Sequence, residues 1–280
     1  MSHSTYKSTR KLVDQVEHEM LEGKEFIGTK TGFDELDRFL EGFYAGELIL
    51  VGGRPSMGKT GFAISLIKNL CMDDNKSCLY FTLSESPKIL IERIIKMVAN
   101  MNVTDPQSLS PKKRERIKET AKDIRKSSLI IEGKSISIDS ITRKCLKHSL
   151  QDKPDFIVID YLQLIYSKDE RSNDSQLLPY VKKLRKTARL IKCPIILLTQ
   201  LPRTIEERAN HRPMLCDLRE YGLIEGYADK VIFLHRDEYY DFDTERNGIA
   251  EITVAKNRNG CIGTIELAHL GRGLLVSKPE

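Results

Sequence analysis

An apolar run, Leu48-Ile49-Leu50-Val51, leads into Gly52-Gly53-Arg54-Pro55-Ser56-Met57-Gly58-Lys59-Thr60 and then into a helix-compatible run, Phe62-Ala63-Ile64-Ser65-Leu66-Ile67. From Gly53 to Thr60 the residues satisfy G-x-x-x-x-G-K-[ST] at every specified position. Glycines let a backbone close around a phosphate, while the loop N–H groups and the following helix N-terminus point at that anion. In such a loop Lys59 reaches the β- and γ-phosphates, and the Thr60 hydroxyl ligands Mg²⁺. Gly53, Arg54, Pro55, Ser56, Met57, Gly58, Lys59 and Thr60 are therefore the expected nucleotide-binding residues, with ATP and Mg²⁺ the expected ligands. A strand before the loop and a helix after it separate this motif from a chance glycine-rich turn.

The pattern then alternates. Strands are predicted at 47–52, 78–83, 128–132, 155–160 and 194–199, and helices at 59–71, 87–101, 111–126, 138–149 and 175–191. The strands are short, continuous apolar runs, as in a parallel sheet covered on both faces. Strand alternating with helix implies an α/β doubly wound fold. After residue 200 the rhythm changes. Residues 201–229 are polar and turn-rich, and strand patterns return at 230–235, 249–255, 263–268 and 273–276. Asn-Gly pairs at 247–248 and 259–260 mark turns. The expectation is a mostly parallel sheet flanked by helices, with an antiparallel C-terminal extension on one edge. Ahead of it, residues 8–22 read as an isolated helix. Ser8 is its candidate cap, Gly23 its candidate stop, and Leu12, Val16 and Met20 share one face. That stripe packs either on its own domain or on a neighbouring subunit.

Composition narrows the class. With 40% apolar and 30% charged residues, the 280-residue chain reads as globular and long enough to bury a sizeable core. A net charge of +5 permits an anionic partner without demanding one. No two of the six cysteines stand at C-x-x-C spacing, so buried reduced thiols are expected rather than a zinc site or disulfides. No apolar run is long enough to span a bilayer and the N-terminus has no secretory h-region, so the expected location is cytoplasmic.

Two more strand ends carry polar groups. Phe156-Ile157-Val158-Ile159-Asp160 is an apolar strand ending in a carboxylate, the Walker B pattern. It delivers Asp160 to the same sheet edge as the glycine loop, where it holds Mg²⁺ directly or through water. Leu197-Leu198-Thr199-Gln200 delivers an amide to that edge. Gln200 either senses the γ-phosphate and orients the attacking water, or hydrogen-bonds to a nearby loop.

Three further stretches follow in order. They are Asp160-Tyr161-Leu162-Gln163-Leu164, Arg212-Pro213-Met214-Leu215-x-Asp217-Leu218-Arg219-Glu220-x-Gly222, and Lys256-x-Arg258-Asn259-Gly260-x-x-Gly263-Thr264. With Arg54-Pro55-Ser56-Met57-Gly58-Lys59-Thr60 they resemble the ATPase motor domain of DnaB-type replicative DNA helicases, on a RecA-like fold, over roughly residues 25–280. The resemblance implies a hexameric ring around single-stranded DNA with ATP at subunit interfaces. It assigns Lys256 and Arg258 to a finger that reaches the γ-phosphate held by the adjacent subunit. It assigns Arg219, Glu220 and Gly222 to a central-channel loop that binds DNA phosphate, with Tyr221 the only aromatic there. Contacts to phosphate carry no sequence information.

The chain departs from the family pattern once within the motifs. The family places a general-base glutamate after the second strand, in Phe-Ser-Leu-Glu; here the segment reads Phe81-Thr82-Leu83-Ser84-Glu85-Ser86. A one-residue shift on an extended strand turns a side chain to the other face, although a turning strand end can restore it. Glu85 is taken as the base, against the alternative of an exposed residue capping the next helix. The family also carries a helical N-terminal domain that binds primase. Here residues 1–24 supply at most the connecting helix, 8–22, so the chain is a natural motor-only version, a mobile-element relative or an excised domain. Primase or a helicase loader is an expected partner, and a membrane is not. Lys112-Lys113-Arg114-x-Arg116-x-Lys118 reads as a solvated face or a nucleic-acid patch, and Lys182-Lys183-x-Arg185-Lys186 as a better-placed DNA contact. His235 reads as structural. The leading reading is an ATP-driven helicase motor. The alternative is a RecA-like ATP-binding scaffold or loader; a strand-exchange recombinase fits the Arg-Pro-Ser-Met and Asp-Leu-Arg-Glu segments less well.

Overall fold

The computed structural model describes residues 9–21, 28–101, 109–133, 137–166, 177–270 and 273–278. Nine strands form one sheet in the order β3-β2-β4-β5-β1-β6-β7-β8-β9. They are β1 (Leu48–Gly53), β2 (Cys78–Thr82), β3 (Leu129–Glu132), β4 (Phe156–Asp160), β5 (Ile195–Gln200), β6 (Lys230–His235), β7 (Ile249–Asn257), β8 (Gly263–Leu270) and β9 (Leu274–Ser277). From β3 to β6 every pairing is parallel, and from β6 to β9 every pairing is antiparallel. The expected switch after residue 200 is thus real. The Lys256 region closes the sheet as a ribbon rather than as a crossover.

Seven helices accompany the sheet among the described residues: α1 (Thr9–Leu21), α2 (Asp34–Leu40), α3 (Lys59–Leu66), α4 (Pro87–Val98), α5 (Pro111–Lys126), α6 (Ile138–Gln151) and α7 (Leu177–Ile191). β1, β2 and β4 are buried at every position, so each feeds two cores. Ile49 and Val51 face α2, α3 and α4, whereas Leu48 and Leu50 face α6 and α7. That two-sided burial is why the strands read as unbroken apolar runs rather than alternating ones. Helix starts follow side-chain chemistry. The hydroxyls of Ser86, Ser110 and Ser137 accept from Ile89, Lys113 and Ser140 N–H groups, and proline follows the first two caps.

Two boundaries differ from the sequence reading. The helix expected over 59–71 is α-helical only to Leu66 and continues as a π-helical turn, Ile67–Asp73. Nothing in local propensity marks that change; the turn buries Ile67, Leu70 and Cys71 together, a tertiary demand. Helix α4 ends at Val98 rather than near 101, because Asn100 takes the left-handed conformation. On α1, Leu12, Val13 and Val16 are exposed; Ser8 and Gly23, its expected cap and stop, lie outside the described residues. Cys71, Cys78, Cys145 and Cys193 are buried free thiols, and Cys216 and Cys261 are exposed free thiols. Burial pushes the Cys145 and Cys193 thiols up to about 12. Among the described residues no helix is long and apolar enough to cross a membrane.

Candidate functional site

Strand β1 lies between β5 and β6, and its chain leaves the sheet at the C-terminal edge through Gly53. This is where open α/β sheets bind ligands. The loop that follows needs left-handed backbone twice, at Ser56 (φ 65°) and Gly58 (φ 94°). Gly58 is the residue before α3, and the space a Cβ would take there is open. Gly61, one turn into α3, has no such freedom: a Cβ would stand 2.3 Å from the Gly273 carbonyl oxygen. The C-terminal ribbon therefore packs directly on the loop helix.

Lys59 folds back over the loop, donating to the Gly53 carbonyl at 2.8 Å and the Arg54 carbonyl at 2.9 Å. Burial lowers its pKa to about 8; Arg54 acts in the same direction and Asp160 opposes it. An ammonium so desolvated is ready for an anion. Thr60 Oγ1 donates to Asp160 Oδ2 at 2.8 Å, so the expected metal pair is assembled. Tyr80 OH donates to the same oxygen at 2.9 Å. The tyrosine is fully buried on β2, and its hydroxyl orients Asp160 from beneath. Its position on an apolar strand gave no sign of that role.

The other loop residues divide by task. The Arg54 side chain turns away, donating to Glu206 at 2.8 and 3.0 Å and to the Leu201 carbonyl at 2.8 Å. Met57 is buried in the core, whereas Pro55 and Ser56 line the cleft with Gly58, Lys59 and Thr60. The cleft has a volume of about 840 Å³. Gln200 lines it too. Its backbone is clamped by Gln163, whose Oε1 accepts from Gln200 N at 3.1 Å and whose Nε2 donates to Gln200 O at 2.8 Å and to Thr199 Oγ1 at 2.9 Å. Gln163 belongs to the Asp160–Leu164 segment but carried no assigned role.

Ser84 lines the cleft, at the position where the family pattern has glutamate. Glu85 lies behind it, with Oε2 3.0 Å from Arg93 and Oε1 buried without a hydrogen-bond partner. Burial raises the Glu85 pKa; the Arg93 charge lowers it and Asp160 raises it further. The helix cap is Ser86, not Glu85, and the Glu85 side chain is only 12% exposed. Glu85 itself is not among the residues that line the cleft; its carboxylate pairs with Arg93, which is.

Arg236 and His269, from the C-terminal ribbon, also line the cleft. Arg236 donates to the Ser56 carbonyl at 3.2 Å and pairs with Glu238, which also accepts from Gly248 N at 2.5 Å. Neither residue belongs to any of the motifs, and the folded ribbon brings both to the loop. His235 is structural, as expected: it is buried, bonded to Asp237 at 2.9 Å and stacked on Tyr240.

Lys256 and Arg258 lie elsewhere. Register pairs Lys256 with Val231 and Asn257 with Lys230, at the start of β6, and Lys230 in turn lies beside Ile49 at the start of β1. At about 3.3 Å per residue, roughly 13 Å of strand separates Ile49 from Gly53. The pair does not reach the cleft of its own chain. Lys256 Nζ donates to the Glu225 carbonyl at 2.6 Å, and Arg258 stands 3.4 Å from Asp229. Burial lowers the Lys256 pKa, with Arg258 acting in the same sense.

In the 3₁₀ segment Leu215–Tyr221, Asp217 is buried and paired with Arg208, and Tyr221 is buried. Tyr221 therefore offers no stacking platform. Arg212 is held by Asp237 at 2.9 Å and Glu251 at 2.7 Å. Arg219 is 68% exposed, Glu220 is exposed, and Gly222 turns the chain at φ 77°. Of the helix α7 cations, Lys182 sits over the Tyr227 ring, Lys183 pairs with Asp139 and Arg185 pairs with Asp229.

A family model for the DnaB-like helicase C-terminal domain matches residues 28–274. The chain belongs to this family. The replicative DNA helicase DnaB of Geobacillus stearothermophilus is 36% identical over 259 residues, covering 90% of this chain and 57% of that protein. Replicative DNA helicase DnaC of Bacillus subtilis is 37% identical over 251 residues, covering 87% and 55%. The chain thus spans a little over half the length of these curated relatives. Among solved structures, a DnaB-like replicative helicase described with its primase interactions has TM-score 0.86 and 32% identity, covering 99% of this chain and 68% of that one. A solved ATPase domain has TM-score 0.89 and 30% identity, covering 98% of this chain and all of that one. The DnaB-like fold accounts for the parallel sheet with its antiparallel ribbon.

Proposed function

We propose that this DnaB-like chain is the ATP-driven motor of a replicative DNA helicase, translocating on single-stranded DNA as a hexameric ring with ATP hydrolysed between subunits. Residues 25–280 act as one ATPase unit and residues 1–24 as its linker; primase or a loader is the expected partner, and the cytoplasm the expected location. One observation carries the reading: the phosphate loop and the Lys256–Arg258 pair stand at opposite edges of the same sheet. Such a chain completes a site by meeting a copy of itself head to tail, and repeated head-to-tail contacts close rings.

The donor set fits ATP with Mg²⁺. The glycine loop has room for a phosphate at Gly58, and Lys59 is a desolvated cation held by two backbone carbonyls. Thr60 and Asp160 offer adjacent hard oxygens, enough for an ion that keeps its other positions for water and phosphates. Bound there, the ion supplies charge neutralisation on the phosphoryl oxygens. Lys59 and the loop N–H groups then hold the phosphates, and Gln200 faces the γ end. Glu85, next in sequence to the cleft-lining Ser84 and with its pKa raised by burial, is in this reading the acceptor for the proton of the attacking water. Arg258 and Lys256 from the adjoining subunit stabilise charge on the transferred group, a contribution of about 10³–10⁵ in rate for a finger supplied in trans. Arg219, with Glu220 and Gly222, tracks DNA phosphates.

Turnover measured with and without single-stranded DNA, beside native mass with nucleotide present, tests this. A hexamer whose turnover rises with added strand is expected. The retreat of Glu85 behind Ser84 keeps a second reading open, a scaffold or loader; nucleotide binding with no DNA-dependent turnover would favour it.

A further inference from the structure

Two functional segments meet at one residue. Glu225 sits in the 3₁₀ turn Ile224–Gly226, which is anchored by the fully buried Ile224. Its backbone carbonyl accepts from Lys256 Nζ at 2.6 Å. Its carboxylate Oε1 lies 3.8 Å from Arg219 Nε, and its Oε2 is buried with no hydrogen-bond partner. The side chain of Glu225 is 16% exposed, against 68% for Arg219. A half-buried carboxylate, one oxygen without a partner, thus stands beside an exposed arginine, while Lys256 is bonded to the same residue's backbone.

We infer that Glu225 is a positioning residue that relays phosphate occupancy of Arg219 to the Lys256 ammonium. This deepens, and rests on, the motor reading above. A DNA phosphate competes for the Arg219 guanidinium, with which it makes charge-assisted, bidentate hydrogen bonds. Glu225 then loses the countercharge facing it, which leaves a half-buried carboxylate unpaired. It moves toward the remaining cation, Lys256, already bonded to its own carbonyl. The chain enters the turn through left-handed backbone at Gly222 (φ 77°) and Leu223 (φ 31°). Arg258 is held separately: Asp229 faces it at 3.4 Å, pairs with Arg185 at 3.3 Å and accepts from Leu48 N at 3.0 Å. The relay therefore moves Lys256 against a fixed Arg258.

The test uses the full chain and oligothymidylate, reading the ratio of DNA-stimulated to basal ATP turnover and, separately, DNA affinity by fluorescence anisotropy. For Glu225→Gln, nearly isosteric, the ratio should fall at least about fivefold, the lower end of ordinary coupling between sites, while oligothymidylate still binds. Glu225→Asp, which keeps the charge, should retain stimulation. A purely structural role would lower basal and stimulated turnover together and leave the ratio intact, overturning the relay. Loss of DNA binding in Glu225→Gln would also overturn it, in favour of direct contact. A wild-type chain without DNA stimulation would instead remove the motor reading, and the relay with it.

Discussion

Raising the pH should weaken nucleotide binding, and Lys59 sets the size of the effect. Its pKa lies near 8, chiefly because burial disfavours the charged amine. A triphosphate favours the ammonium, so the bound form has the higher pKa, and affinity drops as pH rises through 8. At a pKa of 8 the fraction charged falls from about 0.9 at pH 7 to about 0.1 at pH 9. Affinity should therefore weaken roughly tenfold over that interval, about 1.4 kcal/mol. Isothermal titration in two buffers of different ionisation heat reads the affinity and the proton uptake together. Uptake should approach half a proton near pH 8. Affinity constant from pH 7 to 9, with no proton uptake, would refute the argument. Lys59→Met should show weak binding with no pH dependence in the same window.

Other changes have clear directions. Glu85→Gln should lower turnover by about 10²–10⁴ with nucleotide affinity retained; unchanged turnover in a steady-state assay would transfer the base role elsewhere. Lys230→Met strands Glu47, whose Oε2 is 2.6 Å from a fully buried ammonium. It should destabilise the fold by about 3–5 kcal/mol in urea unfolding, and adding Glu47→Gln should recover part of that. Arg219→Ala should flatten the slope of log affinity against log salt by about 0.7 for each DNA phosphate that the arginine neutralises. The weakening should be equal across DNA sequences; anisotropy with two unrelated oligonucleotides checks this.

The sequence reached the fold through features that are local and physical. Runs such as Phe156–Asp160 are buried on both faces, so their composition reveals a parallel sheet without any partner in view. The glycine loop is legible because its backbone conformations demand glycine at position 58. What was not legible depends on long-range meeting. Tyr80 looks like one more apolar strand residue until β2 and β4 align and its hydroxyl meets Asp160. Arg54 and Arg212 stand in nucleotide- and DNA-associated segments, yet both spend their guanidinium groups on carboxylates of their own chain, Glu206 and Glu251. Arg236 and His269 enter the cleft only because the ribbon packs at Gly61. The π-helical turn after Leu66 is likewise set by burial of three side chains, not by propensity.

The trans arrangement is tested most directly by mixing two inactive chains, Lys59→Ala and Arg258→Ala. Each alone should lack turnover, the first for want of a phosphate lysine and the second for want of a finger. In a one-to-one mixture, random assembly pairs an intact Lys59 with an intact neighbouring Arg258 at roughly a quarter of head-to-tail interfaces, half times half. Turnover should recover toward that fraction of the unaltered protein. A mixture as inactive as its components, or an Arg258→Ala chain fully active by itself, would contradict a site shared between neighbours.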